Sequence, residues 1–337
     1  MHLRPKHLLA ILAIAAVVGG FLFTKYQEKK SATDQPTQLT HIRMALPNNP
    51  VTTLAIIANA QGYLAEEGLA IDVLSSTNAK MSNDMLLANQ ADMTLGAPGP
   101  FNFISFTPHP LRILMETARH YDTAVFARKD RGIVKEEDLR GKKIGYLPGT
   151  VSFLAWTHLM DRHNWTMNDF EMVPLQPPAM PTALVGGSVD AFVMWQPWGN
   201  NAINQLPEGV VRLADDQGYY FSGMLYGRDD YIQQNPEAVK GLIRALIKAE
   251  DFANKNPEQT IRMVAEFVKT DPEQMLSYWD AYKFKIQLNP DLLNQFLEND
   301  RMIKKYMPEY ADKPTPDFKS FINPEPLRSV APERLTD

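Results

Sequence analysis

Between residues 41 and 228 the chain alternates short apolar runs with stripes of helical period. HIRMALP (41–47) predicts a strand, 52–64 a helix ending at Gly62-Tyr63, and AIDVLSS (70–76) a second strand. Residues 81–90 predict a short helix and DMTLGAP (92–98) a strand. GPFNFISF (99–106) and the strands LRILMETA and DTAVFARK follow. This spacing predicts βαβ units, and so a parallel sheet with helices on its faces. The pattern then restarts: KKIGYLP (142–148), EMVPLQP (171–177), AFVMWQP (191–197) and VVRLAD (210–215) predict strands, and 150–164 and 181–187 predict helices between them. MLLANQADMTLGAP and TALVGGSVDAFVMWQP follow one plan: a short helix, a turn with Asp, an apolar strand, then Pro. Two α/β lobes built alike are expected.

After FSGMLYGRDD (221–230) the pattern turns helical to near the end of the chain. Val239, Leu242, Ile243, Leu246, Ile247 and Phe252 form one helical stripe. Asn235-Pro236, Asn256-Pro257, Asp271-Pro272 and Asn289-Pro290 each place a capping residue before a proline suited to the first helical position. Such an array covers a lobe and carries no chemistry of its own.

The first thirty residues differ. Arg4 and Lys6 precede an uncharged run, LLAILAIAAVVGGFLF (8–23), and TKYQEKK follows. A basic segment before an apolar one is an export signal, and with Thr24 and Tyr26 the run also approaches the length of a membrane span. Residues 1–30 therefore predict a cleaved signal peptide or a retained N-terminal membrane anchor, and both put the rest outside the cytoplasm. SATDQPTQL (31–39) reads as a tether.

Composition narrows the function classes. The 337 residues are 45% hydrophobic and 22% charged, enough for two ordinary domains with real cores. A net charge of −5 argues against nucleic acid as a partner. With no cysteine, thiolate metal sites, catalytic thiols, disulfides and a lipobox anchor are all ruled out. No Ser-nucleophile, dinucleotide, P-loop or zinc-protease motif occurs. The seven histidines are scattered. His158 and His163 share a predicted helix at a spacing that does not face them one way, and His120 is the one histidine placed to reach a pocket, although a surface or core role suits it better. Asp92 and Asp190 open strands at matching places and suit caps or turns. No enzyme activity, cofactor or metal is expected.

Ligands of open α/β sheets bind beyond the C-terminal strand ends. The loops there hold Asn48 and Asn49, then Pro98 and Phe101, then Gly149, Thr150 and Ser152, and then Trp195, Gln196 and Trp198. Gly149 lets backbone approach a ligand, and Thr150 or Ser152 either caps the next helix or bonds a ligand oxygen. Exposed N–H groups at such a turn favour negative charge. The two tryptophans suit either core packing or a pocket wall on which Gln196 adds a directional bond.

Five ordered blocks carry a family resemblance: LAIIANAQGYLAEEGLAIDV (54–73), LLANQADMTLGAP, DLRGKKIGYLPGTVSFL, ALVGGSVDAFVMWQPW and NPEAVKGLIRALIKAEDFANKNPEQ. Together, over roughly 41–290, they resemble exported solute-binding proteins of the nitrate, sulfonate, taurine and thiamine-pyrimidine-precursor type. The resemblance implies a two-lobed α/β type II periplasmic-binding fold with a two-strand hinge and C-terminal helices. Lobe one would be 40–127 plus 225–337 and lobe two 128–224, with the crossings near 125–129 and 222–228. It implies a periplasmic monomer that captures a small sulfonate-, taurine- or pyrimidine-like solute between the lobes and delivers it to the membrane permease of an ABC importer. The alternatives are a membrane-anchored sensing subunit and an enzyme on the same fold. That family includes a pyrimidine synthase, but the cysteine-rich iron motif of such enzymes is absent here. The chain departs from its relatives in the segment that could stay as an anchor and in a predicted pocket without Arg or Lys. The expected ligand contacts are Asn48, Asn49, Pro98, Phe101, Thr150, Ser152, Trp195 and Gln196.

Overall fold

The strands in the middle of each sheet are apolar on both faces, and this decides the layering. Ile42, Met44, Ala45 and Leu46 of the first strand are all inaccessible to solvent, and AFVM (191–194) is buried throughout. Strands of this kind must be covered by helices on both sides. In the computed structural model, which describes residues 39–213 and 219–336, they are. The apolar run 8–23, the rest of 1–38 and the end of the predicted strand 210–215 lie outside the described residues. No helix among the described residues is long and apolar enough to cross a membrane.

In chain order the strands are β1 (Thr40–Pro47), β2 (Leu69–Ser76), β3 (Met93–Gly96), β4 (Leu111–His120), β5 (Ala124–Arg128), β6 (Lys143–Tyr146), β7 (Glu171–Pro174), β8 (Ala191–Met194), β9 (Val210–Leu213), β10 (Phe221–Arg228) and β11 (Tyr282–Gln287). They form a first sheet in the order β11-β4-β10-β3-β1-β2 and a second in the order β7-β6-β8-β5-β9. β1 runs parallel to β2 and β3, and β6 parallel to β7 and β8, as the βαβ spacing predicts. β10 and β5 insert antiparallel. The segments expected to carry the crossings fall in β5 and β10, one strand of each sheet. The chain leaves the first sheet at 121–123 and returns between β9 and β10.

The helices that bear on the site are α1 (Thr53–Ala60), α2 (Ala79–Leu87), α3 (Pro98–Ile104), α4 (Val151–Arg162), α5 (Met180–Val185), α6 (Trp198–Gln205), α7 (Pro236–Lys255), α8 (Pro257–Val268) and α9 (Pro290–Tyr306). Pro236, Pro257 and Pro290 each occupy the first helical position, as expected from the Asn-Pro pairs. The C-terminal region is not wholly helical. YKFKIQ forms β11, whose Tyr282, Phe284 and Ile286 point into the core while Lys283 and Lys285 face out. That alternation has the period of a half-buried edge strand.

Each sheet has its own apolar core, and α9 serves both. Leu292 and Phe296 pack in the first core, Met302, Ile303 and Tyr306 in the second. The two sheets accordingly sit in one compact unit, Thr40–Asp337.

Two partly buried histidines tie this packing to pH. His109 stacks on Phe321 (4.5 Å between centroids, 10° between planes), and its Nδ1 accepts the Leu111 N–H. Burial, and secondarily the Arg112 charge, pushes its pKa down to about 4. His158 lies against Tyr219, and burial pushes it to about 4 despite the opposing pull of Glu298. Both rings titrate near 6.5 once unfolded. Between those values the unfolded chain binds more protons, so the stability their neutral forms carry is complete above about pH 6.5 and is lost as pH falls toward about 4. The urea midpoint should therefore drop from pH 7 to pH 5. The double variant His109→Phe, His158→Phe should flatten that slope, and an unchanged slope would show that these rings do not set it.

Candidate functional site

The C-terminal ends of β1, β2, β3, β6 and β8 open on one cleft, and the residues that start the following helices line it. Asn49, after β1, accepts the Val51 N–H through Oδ1 (3.0 Å) and so caps the short turn that leads into α1. Asn78, after β2, accepts the Met81 N–H (3.1 Å) and caps α2. Thr150, after β6, accepts the Ser152 N–H (3.2 Å) and donates to the Leu147 carbonyl (2.8 Å). Ahead of it Gly149 holds φ +73°, with the Lys80 stem and the Phe103 ring about a van der Waals contact away from where a Cβ would sit. The Gly-Thr turn thus does two things at once: it caps α4 and brings that cap to the cleft wall. Asn49, Asn78, Ala97, Pro100, Thr150 and Trp195 line the walls, and His120, Asp122 and Tyr282 join them.

The cleft encloses about 420 Å³ between atoms, its mouth included, but only about 30 Å³ of that can take the centre of a water molecule. It is therefore narrow. A wider depression lined by Thr77, Lys80, Asp84, Pro148 and Gln176 shares Asn78 with it. Lys80 there pairs with Asp84 at 3.3 Å. Among the described residues no Lys or Arg lines the cleft itself.

The formal charge in the cleft is the Asp122 carboxylate, which is fully buried. His120 Nδ1 lies 2.6 Å from its Oδ1. Its Oδ2 accepts both the Tyr282 hydroxyl (2.6 Å) and the Gln196 backbone N–H (3.0 Å). Burial works against the charge, but His120, Tyr282 and the Gln196 N–H outweigh it and hold the carboxyl below the usual carboxylate range. Burial, reinforced by Asp122, pushes the Tyr282 hydroxyl well above the usual phenol range, so it stays a donor. The His120 ring lies flat against Tyr282, 5.6 Å away and tilted by 12°. Two ring nitrogens in this cleft, Nε2 of His120 and Nε1 of Trp195, are buried without a partner among the described residues. Among the described residues no cluster of His, Asp or Glu is arranged to hold a metal.

Of the residues expected from sequence, Asn49, Thr150 and Trp195 line the cleft. The other five lie elsewhere. The Asn48 N–H bonds the Ser76 carbonyl beside the cleft. Pro98 is buried at the start of α3, and its neighbours Ala97 and Pro100 reach the cleft instead. Phe101 is in the first core, edge-on to Tyr226 and Phe296. The Ser152 hydroxyl donates to the Val193 carbonyl (2.7 Å) and ties α4 to β8. Gln196 folds back on α6, exchanging two 3.0 Å bonds with Asn200. Its backbone, not its amide, reaches the site.

His120, Asp122, Tyr282 and Asn78 are not among the expected contacts. His-Tyr-Asp at the end of a β run was a usable signal, because residues two apart in extended chain share a side. Asn78 follows the strand 70–76, where the sequence reading places no contact. Nothing local marks Tyr282, which arrives from 160 residues further along.

Comparison with known proteins bears on the family and the fold. Residues 49–260 match the family described as NMT1/THI5 like. A Brucella abortus protein named as a binding protein is 27% identical over 224 residues, covering 65% of this chain and 69% of that one. The 4-amino-5-hydroxymethyl-2-methylpyrimidine phosphate synthase THI13 of Saccharomyces cerevisiae is 24% identical over 298 residues, covering 83% of this chain and 85% of that one. The crystal structure of the periplasmic aliphatic sulphonate binding protein SsuA from Escherichia coli superposes with a TM-score of 0.71 at 16% identity, covering 84% of this chain and 97% of that one. The fold is thus that of periplasmic solute-binding proteins.

Removing one donor from the Asp122 carboxylate should be felt globally. Tyr282→Phe should cost about 1.5–3 kcal/mol in urea unfolding at pH 7.5, the range for a hydrogen bond to a charged group. Because the Asp122 carboxyl is held low, the stability it carries is present above the ordinary carboxylate range and lost as pH falls through its folded value. The gap between variant and parent should therefore shrink in acid. A gap that is small at pH 7.5, or constant with pH, would deny Tyr282 this role.

Proposed function

The chain belongs to the NMT1/THI5-like family, and on that premise we propose that it is an extracytoplasmic solute-binding protein. It captures a small sulfonate-, taurine- or pyrimidine-like solute in the cleft between its sheets and delivers it to the permease of an ABC importer. The bounds expected at 127/128 and 224/225 cut through β5 and β10, each of which pairs within a single sheet, so the lobes follow the sheets and change at 121–123 and between β9 and β10, and the protein acts as a periplasmic monomer.

One observation carries the reading. Capping residues from three strand ends, Asn49, Asn78 and Thr150, converge with Trp195 on a single buried cleft. Their backbone ends lend partial positive charge, and the indole supplies both apolar area and a free donor. This is the wall chemistry of a small-molecule site. The SsuA likeness in fold and the Brucella binding protein support the same class.

The yeast relative and the buried His120–Asp122 pair favour a second reading, an enzyme on the same fold. Product appearing from a bound compound would establish it.

A ligand that binds only the folded chain raises its melting point by mass action, by about 2.7 kcal/mol of added stability at a hundred times Kd. The full chain should therefore melt higher, by circular dichroism, with one class among alkanesulfonates, taurine, nitrate, bicarbonate, thiamine and its pyrimidine precursors. Trp195→Ala should still fold and should bind that ligand at least tenfold more weakly, about 1.4 kcal/mol. Equal affinity in the variant would remove Trp195 from the site, and the absence of any shift across the panel would count against solute capture by this cleft.

A further inference from the structure

The chain has 16 methionines and no cysteine, so every sulfur it can oxidise is a thioether. Packing divides these thioethers sharply. Met44, Met115, Met194 and Met224 are sealed in the cores at 0% exposure. The Met93 sulfur lies so close to Gly227 that even a methyl group there would overlap it. Met81 is 40% exposed, and among the described residues no other methionine is more than a third exposed. Oxidation by a reagent in solution follows access.

The Met81 sulfur also has a prepared surrounding. It belongs to the first turn of α2 and lines the wide depression with Thr77, Asn78 and Lys80. The Thr77 hydroxyl donates to Met81 Sδ (3.9 Å). Asn78 Nδ2 donates to that hydroxyl oxygen (3.1 Å), and Asn78 Oδ1 accepts the Met81 N–H (3.1 Å). These bonds close a ring: amide to hydroxyl, hydroxyl to sulfur, and Met81 backbone to amide. A thioether is a weak acceptor, so the hydroxyl is aimed at an atom that uses little of it. An oxygen added to the sulfur makes the side chain polar and gives the hydroxyl a far better acceptor. The cap of α2 does not depend on the sulfur, because it runs through the Met81 N–H. A core methionine has neither the room nor the donor.

We infer that Met81 is a reversible oxidation site, at which a hypohalous acid converts the thioether to the sulfoxide and the Thr77 hydroxyl receives the new oxygen. With hypochlorous acid, the sulfur loses two electrons to chlorine. One S–O bond forms, the O–Cl bond breaks, and chloride and a proton leave. Return takes two electrons and two protons from an external dithiol, which becomes a disulfide while the oxygen leaves as water. The chain has no thiol of its own to supply them. Met81 does not line the narrow cleft. The other wall of its depression is Pro148, Pro174, Leu175 and Gln176, from the strand ends of the second sheet. Oxidation therefore sets an acceptor, with no change in net charge, on a rim that both sheets share.

The experiment treats the full chain at pH 7.5 with rising doses of hypochlorous acid and reads each methionine by peptide mass mapping. Met81 should gain one oxygen first, at least about tenfold faster than the core methionines. Protein oxidised there alone should melt, by circular dichroism, within about 2 °C of the untreated chain. Methionine sulfoxide reductases specific for each epimer, with dithiothreitol, should restore the original mass in the folded protein. The same reductases count the epimers. A hydroxyl on one side of the sulfur should leave one epimer in excess by about twofold or more, the ratio that one net hydrogen bond supports. Thr77→Val should oxidise at Met81 and bring the epimers to equal amounts. First oxidation at Met85, Met167, Met172, Met263 or Met307 overturns the inference on the parent chain alone. So does a fall of several degrees in melting temperature, which would mark damage rather than accommodation, and so does a mass that the reductases do not restore. Equal epimers in the parent, or an excess that Thr77→Val leaves in place, removes Thr77 from the site.

Discussion

A carboxylate with no access to water fixes the middle of this molecule. Asp122 lies on the three-residue link between the sheets, and each of its donors comes from a different place: His120 from the end of β4, Tyr282 from the start of β11, and the Gln196 N–H from the end of β8 in the second sheet. Burying an ion costs several kcal/mol, and only well-placed partners offset it. If the sheets shifted enough to draw Gln196 away, the charge would lose a bond it cannot replace from solvent. The same three bonds that make the charge tolerable therefore set where the floor of the cleft lies, and they hold His120 and Trp195 to a common space.

The walls follow a different rule. At three of these strand ends, those of β1, β2 and β6, a polar side chain turns back to satisfy the first free N–H groups of the next helix, because a buried helix start without a partner is costly. Asn49, Asn78 and Thr150 do this with neutral oxygens. Aspartate would cap as well, but it would add negative charge to a site that already holds one. Neutral caps leave the cleft to directional bonds rather than net charge, and Lys80 of the wider depression spends its charge on Asp84.

Most of the fold could be read along the chain. The apolar runs at 41–47 and 191–197, the Asn-Pro helix starts and the doubled helix–Asp–strand–Pro plan all have local causes, and local causes leave marks in sequence. β11 is the instructive exception: Tyr-Lys-Phe-Lys-Ile alternates plainly, but it sits among helices and pairs with β4 across some 160 residues. The site was legible only where one residue does its work at one strand end, as with Asn49, Thr150 and Trp195. Phe101 and Ser152 stand in the right loops yet face the core and β8, since one or two positions along a helix turn a side chain from the cleft to the interior. Asp122 and Tyr282 became a pair only when a distant strand brought a hydroxyl to a buried charge, and no window of sequence contains both.

The remaining ties between the sheets are unequal, and the inequality says which way the cleft can give. On one side α9 is built into both cores, and its Arg301 and Lys305 hold Asp161 of α4, with Tyr219 bonding Asn299 nearby. Separating the sheets there would expose Met302, Ile303 and Tyr306 as well as break an ion cluster. At α6 the ties are two neutral contacts, Asn200 with Ser277 and Gln274 with Asn201, each 2.8 Å and each open to at least some water. Amide bonds that water can replace contribute little net, whereas apolar area taken from a core is lost outright. Of these two sides, the α6 side opens at less cost, while α3 also meets α4 through the Phe103 and Phe153 rings, 6.1 Å between centroids. Opening on the α6 side would also pull Gln196, the residue just ahead of α6, from Asp122, so that the bond most exposed to opening belongs to the charge that orders the cleft.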